Sequence, residues 1–431
     1  MVRVAPVARI SIAVVIGLMI AEGVRQGGFW PTDALGAAVA AVLLLVLQLA
    51  AHRVDRQVAV VAGPVVALAA WWLVRALGSG DATSFLPLGA SMLGFAAAFA
   101  VVQPLPDPSK ELVASAVAGI GAVVSLVGFA GITFRWFPLA MPAQGLWRLS
   151  SVLTYSDAAG LLLVVALLVA MGLDETKWWV RGAVCLCLAG VVATQSRGAL
   201  IALVCGLPLL PVERYRRLTV PLVTGVAAGV LAVGSSSRST AVPDVGVGLV
   251  IALLTAVAVR PGFPRSRRGG STWTRQRKVL LGIVAVLMVF ATALAIRNEI
   301  QLRALAPSDQ DRSVEWSAAV HQFRVAPLVG VGPDRTLFFH SSDGDMAHFA
   351  HNEYLQVAAD SGAVGLSLLL LTVIGIGATV RRRDLLSSSA IAALVAFGVG
   401  GAFDFDWHLP MIALAGGCVA GLASSTNKEK T

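Results

Sequence analysis

Apolar runs separated by short polar connectors recur along almost the whole chain. A hydrocarbon core about 30 Å thick takes about 20 helical residues to cross, so each run of this length predicts a spanning helix. The runs fall at 6–23, 35–51, 58–77, 85–102, 112–134, 158–173, 180–194, 199–211, 218–234, 245–259, 279–296, 355–380, 385–403 and 409–423, about fourteen spans in all. One long stretch, 297–352, breaks the rhythm, and four of the six histidines lie in it: His321, His340, His348 and His351. Hydrocarbon cannot solvate so polar a segment, so it is expected to stand in water or fold back over the membrane face. Within it, residues 308–324 have helical spacing, with Ser308 as N-cap and Asp309 and Asp311 in the first turn.

The expected fold class is therefore an all-α polytopic membrane protein, with about 12–14 transmembrane helices and one long exterior loop carrying short amphipathic helices. Composition agrees: 57% of residues are hydrophobic, 13% are charged, and mean hydropathy is +0.80. Cys185, Cys187, Cys205 and Cys418 all lie inside apolar runs, where they pack as small hydrophobes and imply no redox chemistry. With no small-residue cleavage site after Ile20, the first run reads as an uncleaved signal anchor.

The formal charge of +9 would suggest nucleic acid in a soluble chain, but no nucleic-acid motif is present. Here the excess acts as a topology signal. If the N-terminus is cytoplasmic, about two thirds of the 33 basic residues fall in cytoplasmic connectors, including the 260–278 linker and Arg381, Arg382 and Arg383. Both termini are then cytoplasmic and the 297–352 loop is exterior. Four regions follow: N-terminal helices at 1–134, central helices with exterior connectors at 135–296, the loop at 297–352, and C-terminal helices with a short tail at 353–431.

Chemistry is expected where polar groups meet the exterior face. Arg197 is a lone cation in the tight turn at 195–198, where it either snorkels to the headgroups or binds an anion. Gly198 beside it allows a ligand near the backbone. In the loop helix, Arg312, Trp316, Val320 and Phe323 share one face, a stripe suited to a membrane surface, while a simple ion pair between Arg312 and Glu315 is equally compatible with the spacing. Gly330 and Gly332 lie in the turn 327–333, which tolerates close backbone approach.

His348 and His351 precede a span, followed by Asn352 and Tyr354. A neutral imidazole can take a proton from a sugar hydroxyl, and a histidine at a helix start can equally be a structural cap. His340, His348 and His351 with Asp343 and Asp345 fit no zinc spacing. Asp343/Asp345 and Asp404/Asp406 have the D-x-D form that can hold a divalent cation, which also arises by chance. No metal or other cofactor is expected.

Three stretches taken together resemble the O-antigen ligase family of membrane glycosyltransferases: Gln195-Ser196-Arg197-Gly198-Ala199-Leu200; Arg312 to Ala319 running on to the turn at 327–333; and His351-Asn352-Glu353-Tyr354-Leu355-Gln356 leading to 361–366. A softer match lies at 148–160. There the family has an Arg, a Gly-Thr-like turn and an Asn, and this chain has Arg148, Ser151 and Asp157. The resemblance implies a multi-spanning enzyme of a bacterial cytoplasmic membrane, acting without metal. It would take a glycan from undecaprenyl diphosphate and pass it to a glycan or lipid acceptor. It also implies that Arg197 and Arg312 grip the diphosphate and that His351 serves the acceptor, with Arg148, Trp316, His348, Asn352, Tyr354, Gly330 and Gly332 in support. Membrane lipids are the other expected partners.

Ligase and polymerase chemistry share this architecture. A peptidoglycan polymerase of the shape, elongation and division class has fewer spans and an exterior Asp in place of the His-Asn stretch. A flippase or transporter predicts ionisable groups near the midplane of its spans, where this sequence has almost none.

Overall fold

The computed structural model describes residues 6–51, 54–143, 145–236, 243–260, 308–333, 338–339, 346–347 and 349–424. Fifteen α-helices lie in this part of the chain. They are α1 (Pro6–Val24), α2 (Pro31–Ala50), α3 (Arg56–Ser79), α4 (Leu86–Val102), α5 (Asp107–Phe134), α6 (Ser156–Ala170), α7 (Trp178–Thr194), α8 (Arg197–Gly206), α9 (Val212–Arg217), α10 (Thr219–Ser235), α11 (Val245–Val259), α12 (Ser308–Val325), α13 (Glu353–Thr379), α14 (Leu385–Gly400) and α15 (Pro410–Ala423). Two small antiparallel hairpins complete the description, β1 (Ala140–Ala143) with β2 (Leu146–Leu149), and β3 (Phe338–Phe339) with β4 (Met346–Ala347).

The protein is an all-α polytopic membrane protein. Among the described residues, six helices are long and apolar enough to cross a membrane, and seven shorter apolar ones accompany them. The expected span at 279–296 lies outside the described residues. α4, α6 and α15 are apolar on every side and buried along nearly their whole length, so they form the centre of the bundle. α2 by contrast buries only one face and leaves Val39, Val42, Leu43, Val46 and Leu49 exposed, as a helix against lipid does.

The helix ends are set locally. Asp55 caps α3 by accepting from the Gln57 and Val58 amides, and Gly80 ends it in the left-handed conformation. Asp384 and Ser387 form a reciprocal capping box on α14. At one end of the bundle, basic side chains close onto orphan carbonyls: Lys110 Nζ donates to Ser424 O at 2.9 Å, and Arg382 donates to Leu209 O at 2.7 Å. Arg214 reaches the Met171 and Leu173 carbonyls in the same way.

α13 is broken at Gly362, whose φ of 64° and ψ of −158° interrupt the helix. The gap is filled by backbone. Val331 N and Gly332 N donate to Ala359 O and Asp360 O at 2.9 and 3.0 Å, while Ala363 N and Val364 N donate to Pro327 O and Leu328 O at 2.8 and 3.2 Å. Trp71 Nε1 and Arg75 add bonds to Ser361 O and Gly330 O. Non-helical backbone inside a membrane protein persists when such partners replace water. The segment after α12 is thereby clamped to the middle of α13.

The clamp needs glycine. A Cβ on Gly330 would lie 2.3 Å from the Asp360 carbonyl, and its φ is already +72°. Gly330→Ala is therefore expected to cost at least about 1–3 kcal/mol, read as a lower thermal unfolding midpoint in detergent. Wild-type unfolding of this variant would show that the contact is not structural.

Candidate functional site

At the end of the bundle opposite Lys110 and Arg382, four segments meet: the start of α6, the start of α8, the connector between α14 and α15, and the pairing of α12 with the start of α13. Ala319 on α12 is buried against Ala350 and Ala359, with Leu355 beside them. α12 packs its inner face on α13, with Glu315 and Ala319 its buried residues, and the stripe of Arg312, Trp316, Val320 and Phe323 is half-buried.

The Arg312–Glu315 pair that helical spacing also allowed gives way to other partners. Glu315, 1% exposed, has Oε2 at 2.8 Å from Nδ1 of His351. Arg312, with its side chain 38% exposed, has a guanidinium nitrogen 3.6 Å from Oδ2 of buried Asp404. Each takes a partner from another element because both face the same polar centre, where an unpaired buried charge is costly.

Asp404 is held by Tyr155, whose hydroxyl donates to its carboxylate at 2.8 Å, and by the Phe405 amide at 2.8 Å. Burial, reinforced by Asp157, pushes its carboxyl up to about 6 against the pull of His351 and Arg312. Burial, with Asp404 next, pushes Asp406 well up as well. Around His351, burial works against the charged ring, but the Glu315 hydrogen bond and the Asp404 and Glu315 charges outweigh it and raise its pKa above the ordinary value. Burial also opposes charge on Arg312, where Asp404 and its neighbours prevail and raise its pKa.

Backbone geometry fixes the histidine. His351 sits in the left-handed region at φ 45°, and its neighbours are both anchored. Ala350 N donates to Gln356 Oε1 at 2.8 Å. Asn352 caps α13 by accepting from Leu355 N at 3.0 Å and donates to Ala402 O at 2.9 Å. Asn352→Ala is expected to destabilise the protein by about 1 kcal/mol or more, since one change removes the cap and strands the Ala402 carbonyl. A thermal unfolding midpoint equal to wild type would contradict that. Phe405 meets the imidazole edge-on at 5.1 Å and stacks between Tyr155 and Phe349.

The other expected residues take these places. Arg148, on β2, donates to Thr194 O at 2.8 Å and pairs with Asp157 at 3.1 Å, tying the ends of α6 and α7 together. That pair gives a reason for the acid at 157. Arg197 opens α8, which Ser196 caps. The next residue, Gly198, packs so closely on Phe403 that a Cβ would lie 2.9 Å from its Cβ, so the backbone at Arg197 borders the Asp404 connector.

Tyr354 donates to Gly398 O at 2.7 Å and meets Trp407 edge-on. The close approach expected of Gly330 and Gly332 is made to α13. Trp316 is half-buried, its indole N–H without an acceptor among the described residues. His348, like His340, Asp343 and Asp345, lies outside the described residues.

Sequence reasoning missed Tyr155, the second histidine–carboxylate pair of His408 with Glu353 at 3.1 Å, and the role of Asp404 as partner of Arg312. Tyr155 and the D-x-D pair were visible as polar residues in exterior connectors, but no spacing links them. Among the described residues no group of three or more His, Cys, Asp or Glu is arranged to hold a metal ion.

Towards the bundle interior from Tyr354 and Trp407 lies an apolar cavity of about 240 Å³, lined by Leu68, Met92, Phe95, Leu369 and Phe397 among others.

Residues 182–370 match the family model described as O-antigen ligase. This segment belongs to the O-antigen ligase family. The ligase domain contains Arg197, Arg312, Glu315, His351 and the clamp at Gly362, while Arg148, Tyr155, Asp157 and Asp404 lie outside the matched residues. No curated protein matches the chain. Membership supports a membrane glycosyltransferase-type function, with a lipid-linked glycan donor and a glycan acceptor in general terms.

Proposed function

We propose that the protein transfers a glycan from undecaprenyl diphosphate to an acceptor hydroxyl at the outer face of a bacterial cytoplasmic membrane, by a single inverting displacement without metal. The observation that carries this reading is that one helix turn brings Arg312 and His351 together: Arg312 lies 3.6 Å from buried Asp404, and Glu315, three residues on, lies 2.8 Å from His351, whose ring meets Phe405 next to Asp404. A cation able to hold a leaving diphosphate and an imidazole able to take a proton thus share one site.

In the displacement the acceptor oxygen bonds to the anomeric carbon, and the bond from that carbon to the diphosphate oxygen breaks with its electron pair. The proton goes to His351. Arg312 receives the developing charge through forked N–H groups, which match phosphate geometry, and a site of low dielectric strengthens that pairing. Arg197, at the edge of the same connector, is the second diphosphate contact in this reading. The apolar cavity beside Tyr354 and Trp407 suits a segment of the prenyl chain, which needs burial without polar partners.

The test is to incubate purified protein with an undecaprenyl-diphosphate glycan, with and without chelator. Release of undecaprenyl diphosphate in both supports the proposal. Translocation of the glycan lipid without release means a flippase, and loss of release with chelator means a metal-dependent reaction.

A further inference from the structure

Glu315 is a carboxylic side chain, almost fully buried and placed on no substrate in the reaction above. Such a carboxylate is costly unless a specific partner offsets its desolvation. The neighbour offered by helical spacing, Arg312, turns to Asp404 instead, and Glu315 Oε2 lies 2.8 Å from Nδ1 of His351.

We propose that Glu315 is the positioning residue of His351, fixing the tautomer in which Nδ1 carries the proton and Nε2 is the free base that receives the acceptor's proton. This rests on the reading of His351 as the base. An ionised carboxylate only accepts, so the Nδ1 facing it must donate, and the lone pair is left on Nε2.

The placement is rigid. One turn beyond Glu315, Ala319 is buried against Ala350, the residue before His351, so the carboxylate and the imidazole are held from both sides of one contact. The ring cannot turn away freely, since Phe405 closes on it edge-on at 5.1 Å. When Nε2 takes the proton, the positive charge of the ring spreads towards the Glu315 carboxylate, which stabilises it. The other charged groups acting on the ring are Asp404, which favours its charged form, and Arg312, which opposes it.

The test uses full-length protein in nanodiscs with an undecaprenyl-diphosphate glycan, comparing wild type, Glu315→Gln, Glu315→Asp and His351→Ala. Glu315→Gln is expected to lower kcat about 10- to 100-fold with little change in donor KM, because one charge-assisted bond is lost and the wrong tautomer becomes accessible. The acid limb of its pH–kcat profile should move to lower pH, since the partner that raises the imidazole pKa is gone. Glu315→Asp, one methylene shorter, should fall between in both respects.

A Glu315→Gln enzyme with wild-type kcat and acid limb overturns the proposal. If that variant does not fold, Glu315→Asp decides, and an acid limb at its wild-type pH overturns it. Turnover in His351→Ala would instead overturn the reading of His351 as base.

Discussion

Replacing His351 with alanine is expected to lower transfer by about 10²- to 10⁴-fold, the range in which a positioned general base contributes, while the protein still inserts in the membrane. The expectation rests on geometry, since the half-buried ring is backed by Glu315 at 2.8 Å and met edge-on by Phe405, the neighbour of Asp404. His351 lies at φ 45°, where alanine is strained, so His351→Asn is the better control, asparagine being at ease in that region. Both variants should bind donor and fail to release undecaprenyl diphosphate. Retained turnover in either removes His351 as the base.

The pH dependence has a definite sign. A base must be neutral to accept a proton, and the imidazole pKa is raised, so transfer falls as pH drops through a value above 6.5 and levels off on the alkaline side. Asp404 adds a second step near 6, below which it is protonated and no longer balances Arg312. A rate independent of pH between 5 and 8 would contradict both assignments.

Arg312→Ala is expected to reduce transfer by about 10²- to 10³-fold, the size of effect seen when one donor to a developing oxyanion is removed. That variant also leaves Asp404 buried without its cation, so part of its loss could reflect altered packing. Arg312→Lys separates the two. Lysine keeps a positive charge beside Asp404 but lacks the planar fork, so folding should be retained and turnover still be impaired by about tenfold or more. Full activity in the lysine variant would mean that Arg312 serves only as a counter-charge. Measuring undecaprenyl diphosphate release beside the thermal unfolding midpoint distinguishes the outcomes.

Much of the architecture was legible in the chain because hydropathy and capping are local. Within the described residues the apolar runs became helices close to their expected bounds, and Ser308–Val325 formed as its spacing predicted. The His-Asn stretch, Arg197 and Arg312 could be picked out as polar groups where an apolar chain has little reason to keep them, and their order pointed to the family.

Which residues meet was another matter. On spacing, Glu315 belonged with Arg312, three residues away on one helix. In the fold it faces His351, and Arg312 faces Asp404 on a connector that no local pattern ties to it. The two glycines of the turn promised a close backbone approach, and at Gly330 packing supplied it from α13.

The sequence by itself determined that this protein is a membrane bundle of apolar helices and which few polar residues were candidates for chemistry, since burial in lipid is dictated residue by residue. Only the tertiary structure decided the partner of each charge, because buried charges pair with whatever the packed helices bring within hydrogen-bonding reach, and that depends on distances across the bundle rather than along the chain.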